Sequence, residues 1–174
     1  MKDMSILIAG KYLFLFVILG LIVALVRSKR QVRLRFLLSI LVSGVLAYCM
    51  SLISSHLHQD VRPFVSQHIT PLISHTSKNG FPSDHALLTM TLTVIAFFFN
   101  RRIAALMSIA TILVGVTRVM ALVHSPVDIV AGWLIGAVGA TAGFYAVRAA
   151  WPQVMSVPHR LAPWLTSPRS PFGE

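Results

Sequence analysis

The chain has 174 residues, of which 56% are apolar and only 11% charged, and its mean hydropathy is +0.77. A soluble domain carries about 25% charged residues on its surface and loops, so this balance excludes one and implies an integral membrane protein. The net charge of +10 raises nucleic acid as a partner, but the cations gather between apolar segments, which excludes that reading in favour of membrane topology.

Five apolar segments follow in chain order, at about Ser5–Val26, Phe36–Ser55, Ala86–Phe99, Ile103–Val123 and Pro126–Val147. Each approaches the roughly 20 residues that a span needs, the third only if its polar first turn lies at the interface. The expected fold is an all-α bundle of five transmembrane helices, one membrane-embedded domain over residues 1–150, with a Pro-rich cytoplasmic tail over 151–174. The first segment reads as a retained anchor, since no small-residue cleavage site follows it and the larger positive cluster does. Lys11 within it reads as a lysine snorkelling to the interface. Cys49 is the single cysteine, so no intramolecular disulfide forms, and it reads as a buried small filler. In the last segment Gly132, Gly136 and Ala140, with Gly139 and Gly143 one register over, have the spacing that lets helix backbones approach closely, inside the bundle or in a homo-oligomer. Beyond Trp151, Pro152, Pro158, Pro163, Pro168 and Pro171 interrupt any long helix, and with Trp164 the tail is expected at the interface or disordered.

The cations orient the spans. Arg27, Lys29, Arg30, Arg33 and Arg35 crowd the first loop, Arg101 and Arg102 the third, and Arg148, Arg160 and Arg169 follow the last span. By the positive-inside rule these regions are cytoplasmic, which puts residues from about His56 to Asp84 and the turn at His124–Ser125 outside. Six of the seven histidines (His56, His58, His68, His75, His85 and His124) fall on that outer side.

Three polar clusters share it: DVRPF at Asp60–Phe64, FPSDH at Phe81–His85, and Arg118, His124 and Asp128 within TRVMALVHSPVD. Ionisable groups in or at the ends of spans cost roughly 2.5 to 3.5 kcal/mol each, so such a set marks a site. In FPSDHA, Ser83 or Asp84 reads either as an ordinary N-cap or as the start of a phosphate cradle at a helix terminus, with His85 at its lip to donate a proton. In HSPVD, Ser125, Pro126 and Asp128 form a capping box. That box explains Asp128 alone; it does not explain His124 beside it or Arg118 two turns earlier. An imidazole whose Nδ1–H is held by a carboxylate keeps Nε2 available as a nucleophile, and Arg118 can grip phosphate oxygens with its planar fork, a snorkelling interfacial arginine being the alternative. Arg62 is the weakest single residue of the set, since an arginine in an outer loop is usually just solvated, and Pro63 stiffens the turn after it. A zinc reading through His56, His58, Asp60 and His68 matches no closed tetrahedral pattern, and neither metal nor cofactor is expected.

Arg-Pro, then Pro-Ser-x-His, then an arginine with a histidine six later and an aspartate four beyond, resembles the signature of the type-2 phosphatidic acid phosphatase superfamily, over Arg62 to about Gly143. RPF with FPSDHA looks most like its bacitracin-resistance-type undecaprenyl-diphosphatase branch. The resemblance implies a metal-independent membrane hydrolase acting on a polyprenyl diphosphate in the bacterial cytoplasmic membrane, its site at the extracytoplasmic helix ends. It implies His124 as the nucleophile forming a phosphohistidine, Asp128 as its partner and His85 as the acid. Arg62, Ser83, the amide of Asp84 and Arg118 then bind phosphate. Three positions depart from the pattern: Ser55 stands where a lysine precedes the arginine by seven, Thr117 where serine is usual, and Asp84 where many members have glycine. The first leaves a phosphate contact missing or supplied by another group such as His58 or Gln59. Other readings are a phosphatase of phosphatidylglycerol phosphate, phosphatidic acid or lipid A, and a non-catalytic lipid-phosphate binder or transporter, which has no need of His124 with Asp128.

Overall fold

The computed structural model describes residues 10–70 and 76–161, with side chains to residue 154. Residues 1–9, His75 and the tail that holds Pro163, Trp164, Pro168, Arg169 and Pro171 lie outside the described residues. In chain order the elements are α1 (Phe14–Arg27), α2 (Arg30–Leu57), the short α3 (Pro63–Ser66), α4 (Asp84–Phe99), α5 (Arg101–Met120) and α6 (Pro126–Leu161), and no strand occurs among the described residues. Of these, α2, α5 and α6 are long and apolar enough to cross a membrane, whereas α1 and α4 are apolar but have 14 and 16 residues.

One of the two shorter apolar helices, α4, lies at the centre and packs against α1, α2, α5 and α6. Its buried residues include Thr89, Thr91 and Thr93, polar side chains that apolar surroundings tolerate only when bonded. Thr89 and Thr91 Oγ1 donate to carbonyls one turn back, those of His85 and Leu87, at 2.7 Å each, while Thr93 Oγ1 pairs with Thr111 Oγ1 of α5 at 2.8 Å. Around this centre the outward faces carry exposed Leu15, Phe16, Leu41, Val45, Leu106, Ile109, Leu134 and Val138. A surface so apolar suits hydrocarbon, where no water competes for the helical backbone.

The small residues of α6 work within the chain. A Cβ on Gly132 or Gly136 would lie 2.8 Å from Ser83 O and 2.7 Å from Leu87 O of α4, and one on Gly139 would lie 2.7 Å from Ala47 Cα of α2. The stripe therefore seats α6 in the groove between α2 and α4. At the end that carries Arg35, rings stack instead: Phe36 on Phe99 at 4.1 Å and Phe98 on Phe144 at 4.0 Å, with the Arg35 guanidinium 5.3 Å from the Phe144 centroid.

Two expectations are corrected. Cys49 is exposed on the outer face of α2, not buried: it follows Tyr48 on the side turned away from α6, which Ala47 contacts. The proline-interrupted stretch beyond Trp151 begins as helix, since α6 continues through Pro152 and Pro158 to Leu161. Each proline removes one amide donor, but extension of a helix already fixed by packing is cooperative and carries such losses. Lys11 is exposed with its ammonium 5.4 Å from the Tyr12 ring.

Candidate active site

The site end is built by one loop clamp and one docked turn. Asn79 is the clamp: its Nδ2 donates to Ser55 O at 3.1 Å and His58 O at 3.2 Å, and its Oδ1 accepts from Asp60 N at 2.9 Å and Phe81 N at 3.0 Å. Gly80 N adds a bond to Asp60 O at 2.9 Å, and a Cβ there would stand 3.1 Å from Asp128 Oδ2 and 3.2 Å from Arg62 Cγ, so glycine lets both side chains approach without giving way. The Phe81–Pro82 peptide is cis. The docked turn is the one before His124. Phe64 N donates to Leu122 O at 3.0 Å, and the Phe64 ring packs with Ala121 and Val123. Leu122 has a φ of 60°, a left-handed conformation that costs a leucine roughly 1–2 kcal/mol, so the contacts of Phe64 hold that turn against strain.

Within this frame His124 Nδ1 lies 3.3 Å from Asp128 Oδ2. The same oxygen accepts Ser125 N at 2.8 Å, and Ser125 Oγ accepts Asp128 N at 3.3 Å while donating to Asp60 Oδ2 at 2.7 Å. The capping box thus forms and also orients the imidazole. Arg62 crosses the other side: Nη1 donates to Val123 O at 2.8 Å and lies 3.2 Å from His124 Nε2, Nε donates to Lys78 O at 3.0 Å, and Nη2 donates to Asn79 O at 3.2 Å. With Nδ1–H directed at the carboxylate, Nε2 is the acceptor facing the guanidinium, a tautomer assigned from these partners. Burial pulls the Arg62 guanidinium below the usual arginine range, against the opposite pull of Asp128 and Asp84.

The structure brings together Arg62, His124, Asp128 and, through the Ser83 N to Asp128 O bond of 3.1 Å, the start of α4. Ser83 takes the N-cap position, yet its hydroxyl caps nothing: Oγ is buried without a hydrogen-bond partner. Asp84 is exposed in the first turn beside it, and its charge acts on Arg62. His85, half-buried next along α4, sets its ring edge-on to Phe14 of α1 at 5.2 Å. Arg118 is buried in the last turn of α5, near enough to Arg62 for the two charges to repel, with Nε lacking a partner. Thr117 Oγ1 bonds back to Val114 O at 2.9 Å. No three His, Cys, Asp or Glu side chains gather as a metal-ligand group among the described residues, so His56, His58, Asp60 and His68 do not assemble one. Asn79, Gly80 and the Asp60–Ser125 bond escaped the sequence reading. The Asn79-Gly80 dipeptide is a turn signal that marks this place but not its partners. A cavity of about 470 Å³ opens beside Arg62, lined also by Tyr48, Ser55, Gln59, Lys78, Asn79 and Asp84.

Residues 34–152, which carry all three polar clusters, match the profile of the PAP2 superfamily. The chain belongs to that superfamily. It is 30% identical over 137 residues to the bacitracin transport permease protein BcrC of Bacillus licheniformis, covering 78% of this chain and 67% of the relative. It is 27% identical over 94 residues to the undecaprenyl-diphosphatase BcrC of Bacillus subtilis (strain 168), covering 54% and 49%, and 30% identical over 101 residues to an undecaprenyl-diphosphatase of Sulfolobus acidocaldarius, covering 57% and 49%. The chain thus spans about half the length of these two relatives. No solved structure matches it significantly. Family and relatives support a PAP2-type lipid phosphatase in a membrane, and they agree with the bacitracin-resistance branch that the motifs resemble.

Proposed function

We propose that this PAP2 protein hydrolyses undecaprenyl diphosphate to undecaprenyl phosphate and inorganic phosphate, recycling a lipid carrier of the cell envelope. One observation carries the reading. Two guanidiniums, Arg62 and Arg118, are buried near enough to repel, Arg62 beside the buried carboxylate of Asp128, and the donors Arg118 Nε and Ser83 Oγ lack acceptors. Each buried unsatisfied donor costs about 1–3 kcal/mol, which an arriving anion with several acceptor oxygens repays. His124 beside Asp128 adds the chemistry that a simple anion binder does not need.

In the proposed reaction His124 Nε2 attacks the terminal phosphorus while the Arg62 N–H now facing it turns to a phosphate oxygen. The bond to the bridging oxygen breaks, and His85 delivers a proton to the departing lipid monophosphate. Water then attacks the phosphohistidine, His85 takes its proton back, and inorganic phosphate leaves. Arg62, Arg118, Ser83 and the amide of Asp84 spread the charge that builds on the equatorial oxygens. The five apolar segments span the bacterial cytoplasmic membrane in this reading, with the site outside, where a diphosphate head meets the interface and the prenyl chain stays in lipid.

The test is phosphate release by purified protein from undecaprenyl diphosphate beside phosphatidic acid, phosphatidylglycerol phosphate and lipid A. The expected result is the highest kcat/KM on the first, unaffected by chelator, with a bell-shaped pH profile because one imidazole must be neutral and the other protonated. A preference for any other substrate removes the carrier lipid, and no turnover of any removes the enzyme. Sidedness is checked in a Cys49→Ala background: Ser66→Cys should react with an impermeant reagent from outside and Lys29→Cys should not.

A further inference from the structure

Arg62 stands at the cavity wall with few donors left for a ligand. Its Nε, Nη1 and Nη2 donate to the carbonyls of Lys78, Val123 and Asn79, and Nη1 also faces His124. A guanidinium has only five N–H groups. The cavity beside it is also lined by Asp84, whose carboxylate opposes an entering diphosphate. The cavity lining also includes a cation at its exposed rim, Lys78. Its backbone is not free: its carbonyl holds Arg62 Nε, and the next residue, Asn79, bonds Ser55 O at 3.1 Å. Ser55 lines the same cavity.

We propose that Lys78 supplies an ammonium that binds the phosphate oxygens of the entering head group from the loop side of the cavity. The Asn79 clamp brings residue 78 to the end of α2, where Ser55 lies. A lysine suits the place because its charge is compact and its stem flexible, and it adds attraction without the fixed fork geometry already supplied by Arg62 and Arg118. His58, by contrast, has its ring engaged edge-on with Phe81 at 4.6 Å, and Gln59 carries no charge.

This rests on the phosphatase reading, and the experiment separates the two. Lys78→Met should raise KM for undecaprenyl diphosphate by about 10- to 100-fold, with kcat within about threefold, because a charge-assisted contact to the ground-state head group is lost. Lys78→Arg should retain most of the affinity. Ser55→Lys should change little alone but restore the KM of Lys78→Met, a rescue that a purely structural role for Lys78 does not give. An unchanged KM in Lys78→Met, or no rescue by Ser55→Lys, overturns the assignment. The same variants on a His124→Ala background, titrated with inorganic pyrophosphate, read the contact as a Kd without turnover. There, weakening by Lys78→Met together with rescue supports the assignment even if the wild-type protein releases no phosphate, and equal Kd values overturn it.

Discussion

Two helices start on a serine at the same end of this bundle, and the two serines do different things. Ser125 is a working cap: with Asp128 it closes the box at the start of α6, and its hydroxyl donates onward to Asp60 at 2.7 Å. Ser83 holds the equivalent position before α4, more deeply buried, and its hydroxyl bonds to nothing among the described residues. A natural protein seldom leaves such a donor unpaired without a use for it. One terminus is closed by its own side chains, and the other is held open by its backbone contact to Asp128 O. In the proposed function, the closed one positions His124 and the open one receives phosphate.

The comparison makes the largest demand on the closed side. His124→Ala should lower phosphate release by at least about 10³-fold with the protein still folded, since the attacking atom is gone; near wild-type release would refute the mechanism. Asp128→Asn should come next, losing about 10²- to 10⁴-fold in kcat, because an amide no longer holds the Nδ1–H tautomer. If it instead raised KM alone, Asp128 would be a cap and nothing more. On the open side Ser83→Ala should cost about 10- to 100-fold in kcat/KM. Its thermal midpoint should hold or rise, because removing a buried unpaired hydroxyl relieves a desolvation cost. A fall in midpoint would show that Ser83 has a structural partner after all.

How far the sequence reaches follows the same division. The polar clusters were legible because ionisable residues are rare near membrane spans, so DVRPF, FPSDH and the Arg118–Asp128 stretch stood out, and the structure joins Arg62, His124 and Asp128 by direct contacts. The small-residue stripe of α6 was legible by spacing, and the contacts of Gly132 and Gly139 decide for packing within the bundle. Cys49 was misread although Ser39, Ser43, Ala47 and Ser51 recur every four residues along the buried face of α2, a stripe off which Cys49 lies. Asn79 was not legible, because its four bonds depend on partners up to 24 residues away. The two serines differ already in sequence, since Ser125 has Asp128 three residues on to close a capping box whereas Ser83 has Ala86 there. What the sequence leaves open is whether the Ser83 hydroxyl finds an amide of its own, which the turn geometry decides.

The smallest effect tests that distinction from its structural side. Ser125→Ala removes an acceptor from Asp128 N and a donor from Asp60 Oδ2 while leaving the Ser125 N to Asp128 Oδ2 bond in place. The loss should be chiefly one of stability, about 1–2 kcal/mol as for other N-cap deletions, read as a lower thermal midpoint in detergent. The carboxylate keeps one anchor and stays within reach of His124, so kcat/KM should fall by less than about tenfold. Ser125→Thr, which keeps the hydroxyl, should recover most of both. Ser83→Ala is expected to show the opposite pattern, activity lost and stability kept. If Ser125→Ala left the midpoint unchanged and removed activity as Ser83→Ala is expected to, the two termini would be equivalent, and Ser125 would belong with the phosphate-binding groups rather than with the scaffold of His124.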